Sequence, residues 1–116
     1  MDAHKTSLTL FQGRRYLHAL FFIHLALEKA LKGYFVKINK KEAPYTHNLQ
    51  AIALAIPDHS FTTKQLVALT QITTFNIATR YDDYKNSLAQ TVNRAFVKKY
   101  LTLTEELLAC IRSQMK

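Results

Sequence analysis

Residues Arg14–Ile38 read RRYLHALFFIHLALEKALKGYFVKI, and the way this stretch spreads its apolar residues decides the fold. Tyr16, Leu20, Ile23, Leu27, Ala30, Leu31 and Tyr34 recur at three- and four-residue steps, the period of one helix face. Phe21, Phe22, Leu25 and Phe35 fill most of the remaining circumference. Ala, Leu, Glu and Lys dominate, and Ile23, Val36 and Ile38 are the only β-branched residues, so propensity agrees with period. A helix greasy on nearly every side is stable in water only when covered from several directions, by its own bundle and by further helices or a second subunit. The stretch is expected to be a central helix whose remaining apolar side makes the protein a homodimer.

Whole-chain quantities point the same way. A chain of 116 residues has room for one domain, expected over residues 1–116, with a self-sufficient core. Two Gly and two Pro leave few turns, which argues against a many-stranded sheet and for a few long helices. The expected fold class is all-α, an up-and-down bundle of four to five helices with two long antiparallel helices at its core. The single Cys110 has no partner for an intrachain bridge, so a reducing cytoplasm is the expected location and a small buried apolar role the expected use. No signal segment opens the chain, and His18, His24, Glu28 and Lys29 interrupt the greasiest run before it could cross a bilayer. A soluble protein without a membrane role is expected.

Outward from the central helix, residues 1–12 carry Leu8, Leu10 and Phe11 as a short first helix, with Gly13 suited to a left-handed cap. After the central helix, Lys40, Lys41, Glu42, Ala43 and Pro44 form an exposed connection. Thr46 is expected to cap a short helix over residues 47–56, with Leu49, Ile52, Ala53 and Ile56 on its apolar face. Thr62 with Gln65 reads as a capping box opening a helix through Leu66, Leu69, Ile72 and Phe75 to about Ala78. The second half of that helix is rich in Thr and Asn, so packing or a polar pocket must hold it. The last helix is expected from Ser87 to about Ser113, along Leu88, Val92, Phe96, Leu103, Leu107 and Ile111.

The functional hints are electrostatic. Net charge is +8, and Lys29, Lys32, Lys37, Lys40 and Lys41 gather in and after the central helix, as do Arg94, Lys98 and Lys99 in the last. Such a field attracts phosphate polymers or an acidic protein, although most helical lysines are simply solvated surface. There is no Gly-rich phosphate loop, paired-cysteine framework or nucleophile elbow, so neither cofactor nor metal is expected. His24 and Glu28, four apart, read better as a hydrogen-bonded pair than as metal ligands, because no third ligand supports them. His47 reads first as a helix-start residue satisfying backbone groups and second as a ligand-binding residue. Arg80, flanked by Tyr81 and Tyr84 with Asp82, Asp83 and Lys85 interleaved, is the one promising constellation. Its guanidinium can fork onto a phosphate while the tyrosines stack on a base; equally, it can pair with Asp82, Asp83 or Glu28 and the tyrosines plug the bundle end.

Three blocks taken together, HLALEKALKGYFVK, Pro44 followed by His47-Asn48-Leu49, and TFNIATRYDDYK, resemble the HEPN domain, in particular small prokaryotic members encoded beside minimal nucleotidyltransferases. The resemblance runs from Gly13 to the end. It implies a dimerising bundle of four or five helices, a nucleotidyltransferase partner in a toxin–antitoxin-like pair, and metal-independent endoribonuclease activity in many relatives. The family signature is an Arg followed by four to six residues and a His, with the motifs of two protomers facing one cleft. Arg80 matches the arginine, but Lys85, Asn86 and Ser87 stand where the His belongs, so the general base is missing. An Arg can still stabilise a charged phosphorane, while Lys85, Tyr84 or Asp83 would have to move the proton. The expected catalytic set is thus Arg80, Lys85, Tyr84 and Asp83, and the expected ligand-binding set Arg80, Tyr81, Lys29, Lys32, His47 and Glu28. Two functions follow as expectations: an RNA- or nucleotide-binding HEPN subunit with weak ribonuclease activity, or a non-catalytic helical dimer that binds a nucleotidyltransferase.

Overall fold

The computed structural model describes residues 3–57, 59–78 and 92–115. The described residues form five helices and no strand: α1 (Ala3–Gln12), α2 (Tyr16–Asn39), α3 (Leu49–Leu54), α4 (Thr63–Ala78) and α5 (Arg94–Met115). The all-α expectation holds, and α2 is the central element. Ala19, Leu20, Ile23, Leu27 and Leu31 of α2 are fully buried in a core shared with Phe11, Ile52, Leu69, Ile72, Val97 and Leu107 from the other four helices. The rest of the apolar circumference is only partly covered. Phe21, Phe22 and Leu25 are half-buried, Phe21 and Phe22 meet edge to face at 5.5 Å, and Val36 and Ile38 are exposed.

The joints show how local chemistry sets each helix end. α1 closes with two backbone bonds, Arg15 N–H to the Leu10 carbonyl at 2.8 Å and Arg14 N–H to the Phe11 carbonyl at 3.1 Å, the pattern of a Schellman motif. Its left-handed residue is Arg14, with φ 61°, and not Gly13 as expected. The Gly13 amide still bonds the Thr9 carbonyl at 3.0 Å, so the helical ladder runs one residue further before the chain turns. At the far end of α2, Lys40 takes the same left-handed conformation and its N–H caps the Val36 carbonyl. The α3 cap also moves: Asn48 Oδ1 accepts from Ala51 N–H at 3.1 Å, while the Thr46 hydroxyl accepts from Asn48 N–H at 3.1 Å. Thr46 thus shapes the approach, and the helix opens two residues later than expected. The capping box is reciprocal as expected, Thr62 N–H to Gln65 Oε1 at 2.9 Å and Gln65 N–H to Thr62 Oγ1 at 3.1 Å. Ser87 and Leu88, placed at the start of the last helix, lie outside the described residues. The described helix begins at Arg94, behind Asn93, whose Oδ1 accepts from Phe96 N–H at 2.8 Å.

One expectation about packing is overturned. Tyr34 Oη donates to Gln114 Oε1 at 2.8 Å and Lys37 Nζ donates to the Met115 carbonyl, so the C-terminal ends of α2 and α5 lie together. At the other end the Arg94 guanidinium lies 4.7 Å from the centre of the Phe11 ring, which packs 6.0 Å from Tyr16. The two long helices therefore run parallel, not antiparallel. The reason is α4, which returns the chain between them: Phe75 packs on Phe96 and Tyr100, and Ser60, just ahead of α4, bonds Gln114 near the end of α5. α1, α2, α4 and α5 alternate in direction, which keeps the bundle up-and-down while setting α2 and α5 the same way.

Candidate functional site

His24, Glu28 and Lys32 stand four residues apart on α2 and share one face over two turns. The connection after α2 carries His47 back across that face. Thr46 N–H bonds the Pro44 carbonyl at 3.0 Å, the Thr46 hydroxyl holds Asn48 N–H, and Asn48 starts α3. The first amide of α3, Leu49 N–H, has no partner within its own helix and donates instead to Thr73 Oγ1 of α4 at 3.1 Å. Three elements are thereby pinned together at this point.

Their side chains form a connected polar network. His47 Nδ1 lies 2.7 Å from Glu28 Oε1, and Lys32 Nζ donates to Glu28 Oε2 at 3.3 Å. His24 Nε2 donates to the backbone carbonyl of His47 at 2.9 Å, which fixes that proton on Nε2 because a carbonyl only accepts. Glu28 and His24 are buried, Lys32 is partly so, and the His47 side chain is 51% exposed. Burial pushes the Glu28 carboxyl up, but the bonds and charges of His47 and Lys32 outweigh it and hold the group below its ordinary value. The site is an ionised, half-sunken carboxylate with an imidazole at its mouth.

The expected pairings are rearranged by this geometry. Glu28 is bonded by His47 and not by His24, whose Nδ1 is 3.9 Å away. The His47 imidazole satisfies a carboxylate, whereas its own backbone is what another histidine satisfies. Among the expected ligand-binding residues, Glu28, His47 and Lys32 are brought together. Lys29 lies elsewhere, exposed along a groove between α1, α2 and α5 beside His4, Gly33 and Arg112. Arg80, Tyr81, Asp83, Tyr84 and Lys85 lie outside the described residues; α4 ends at Ala78, two positions before Arg80.

The Thr/Asn-rich half of α4 accounts for itself in part. Thr70 and Thr73 bond back to the Leu66 and Leu69 carbonyls, and Thr73 also accepts from Leu49. Asn76, one turn closer to Arg80, is buried. Sequence reasoning passed over Thr73 as a tether and over Tyr45, which is 94% exposed between the lysine pair Lys40–Lys41 and His47, with its hydroxyl on Glu42 at 3.2 Å. An aromatic ring so open beside lysines was a signal available in the segment KKEAPYTH. Among the described residues, no helix is long and apolar enough to cross a membrane.

No curated protein and no solved structure is detectably similar to the chain. The family model of the HEPN domain, by contrast, matches residues 2–114, nearly the full length and all five described helices. The chain belongs to the HEPN domain family.

Proposed function

We propose that this chain is the HEPN subunit of a toxin–antitoxin-like pair, a cytoplasmic homodimer that binds RNA or a nucleotide at a cleft centred on Arg80 and associates with a minimal nucleotidyltransferase. The observation that carries this reading is the polar network at Glu28. The packing of α2 has no need of a sunken ionised carboxylate surrounded by His47, Lys32 and His24, and such clusters are characteristic of binding sites. Lys40, Lys41 and the exposed Tyr45 flank the same connection and supply charge and a stacking surface suited to nucleic acid. Arg80 follows α4, the helix whose Thr73 is tied to that connection. The half-buried Phe21, Phe22 and Leu25 with exposed Val36 and Ile38 support the dimer.

The test is RNA binding by fluorescence anisotropy across a salt series. Affinity falls steeply with salt, and Arg80→Ala weakens it by about 10- to 100-fold, the worth of one charge-assisted bond. Unchanged affinity in a folded Arg80→Ala protein would make Arg80 structural. Light scattering at micromolar concentration gives a dimer, and Phe22→Glu gives monomer or insoluble protein. A second reading, a non-catalytic dimeric module that binds the nucleotidyltransferase, is favoured by Lys85, Asn86 and Ser87 in place of the motif histidine. Growth arrest on expressing the chain alone, abolished by Arg80→Ala, separates the two.

A further inference from the structure

We infer that His47, oriented by Glu28, is the proton acceptor for the 2′-hydroxyl of bound RNA, the role that the motif histidine would otherwise fill. The inference rests on the RNA-binding reading above and adds the chemistry that reading lacks. An ionised carboxylate can only accept, so at 2.7 Å the proton between Glu28 Oε1 and His47 must sit on Nδ1. In its neutral form the ring then presents a bare Nε2. That atom has no bonding partner among the described residues, on a side chain that is half exposed. A carboxylate behind Nδ1 and an open Nε2 in front is the arrangement by which enzymes orient a general base.

The backbone around the ring is held as tightly as the ring itself. His24 Nε2–H bonds the His47 carbonyl, Thr46 Oγ1 bonds Asn48 N–H, and Thr73 Oγ1 bonds Leu49 N–H. Among the described residues, the titratable groups that meet His47 are Glu28 and His24, with Lys32 on the other oxygen of Glu28, all from α2, while α4 contributes the uncharged Thr73 hydroxyl. A latch between the connection and α2 needs only a donor toward Glu28, which asparagine would supply. Histidine adds the second nitrogen, which bonds nothing among the described residues.

In the step itself, Nε2 takes the proton of a ribose 2′-hydroxyl as its oxygen forms a bond to the adjacent phosphorus. The bond from phosphorus to the 5′-oxygen breaks, that oxygen takes a proton from water, and the imidazolium later returns its proton to solvent. The products are a 2′,3′-cyclic phosphate and a 5′-hydroxyl, with no oxidant, reductant or metal consumed. Glu28 and His24 are positioning residues in this scheme.

The experiment uses the full chain, excess chelator and a labelled DNA oligonucleotide carrying one ribose, with its all-deoxy analogue as a binding control. The expected result is cleavage at the ribose by the unaltered protein. His47→Asn, which keeps a donor toward Glu28, loses about 100-fold or more in kcat, a loss much larger than any change in its affinity for the all-deoxy analogue. Nitrogen-15 NMR of the neutral His47 ring reads the Nδ1–H tautomer in the unaltered protein and a shift toward Nε2–H in Glu28→Gln, with kcat for the ribose substrate falling as that tautomer is lost, a coupling that a merely structural Glu28 would not produce. Full cleavage by folded His47→Asn overturns the inference and leaves the binding reading standing. So does tight binding of the ribose substrate without cleavage, whereas absence of binding by the unaltered protein overturns both. Should His47→Asn not fold, Nε2–H as the main tautomer in the unaltered protein overturns the inference.

Discussion

His47 lies nineteen residues beyond Glu28 in the chain, yet its Nδ1 reaches within 2.7 Å of Glu28 Oε1 and closes the connection between α2 and α3 onto the central helix. Removing the carboxylate should therefore loosen a joint as well as alter a site. Glu28→Ala is expected to cost about 1–2 kcal/mol in urea unfolding, less than two full charge-assisted bonds because His47 and Lys32 can be rehydrated.

The same contact gives acid sensitivity with a definite sign. The folded Glu28 carboxyl is held below the ordinary 4.5, so its pairing stabilises the protein above that pH. The contribution fades as pH drops through the lower, folded value. Urea midpoints taken from neutrality down to about pH 3 should decline in this window for the unaltered protein, and more weakly for Glu28→Gln. Equal declines in both proteins would assign the acid limb to other carboxylates.

Helix ends offer a paired test of backbone conformation. Arg14 holds a left-handed φ of 61° that costs a side-chain-bearing residue about 1 kcal/mol, so Arg14→Gly should raise stability by up to that amount. Gly33 sits inside α2 with nothing within 4 Å of an added Cβ, and Gly33→Ala should also stabilise by about 1 kcal/mol. Opposite substitutions raising the melting temperature by several degrees each would confirm that conformation, and not contact, decides both.

Much of the fold was readable because its signals are local. The apolar period of Arg14–Ile38 and the Thr62/Gln65 capping box each lie within a few turns, and both appear as read. Cap choice was less readable. Thr46 and Asn48 are both capping types, Asn the better of the two, and the pull of Glu28 on His47 and of Thr73 on Leu49 adds to the preference for the later one. The direction of α5 against α2 depends on α4 returning between them, which no periodicity encodes. In the site, spacing drew attention to His24 because it is four residues from Glu28, while the actual partner arrives through a loop. The residues on which the sequence reading leaned most, Arg80, Tyr81, Asp83, Tyr84 and Lys85, lie outside the described set.

Thr73 is the simplest handle on how α3 is held. Thr73→Val preserves shape but leaves Leu49 N–H without its acceptor, at an expected cost of about 1–2 kcal/mol. Amide hydrogen exchange should speed up first at Leu49 and through α3, ahead of α4 and α5. Uniform acceleration would mean that the tether is not local.

The core gives the largest expected effect. Leu27 is completely buried in the middle of α2 and touches a core to which all five helices contribute. Leu27→Ala should cost about 2–5 kcal/mol, enough to threaten folding of a chain this size at physiological temperature. A melting temperature within a degree or two of the unaltered protein would show that the bundle repacks around the lost volume.

Because α2 and α5 run the same way, their carbonyl-rich ends share one pole of the molecule, where the N-terminal ends of α1 and α4 offset part of the negative charge of the two helix dipoles. Lys37 answers this directly by donating to the Met115 carbonyl, and Arg112 lies in the last turn of α5. Part of the +8 formal charge is therefore an internal counterweight at that pole, not a surplus offered to phosphate polymers. The effective attraction for a polyanion is correspondingly smaller than the composition suggests, and more of it rests on cations other than Lys37 and Arg112.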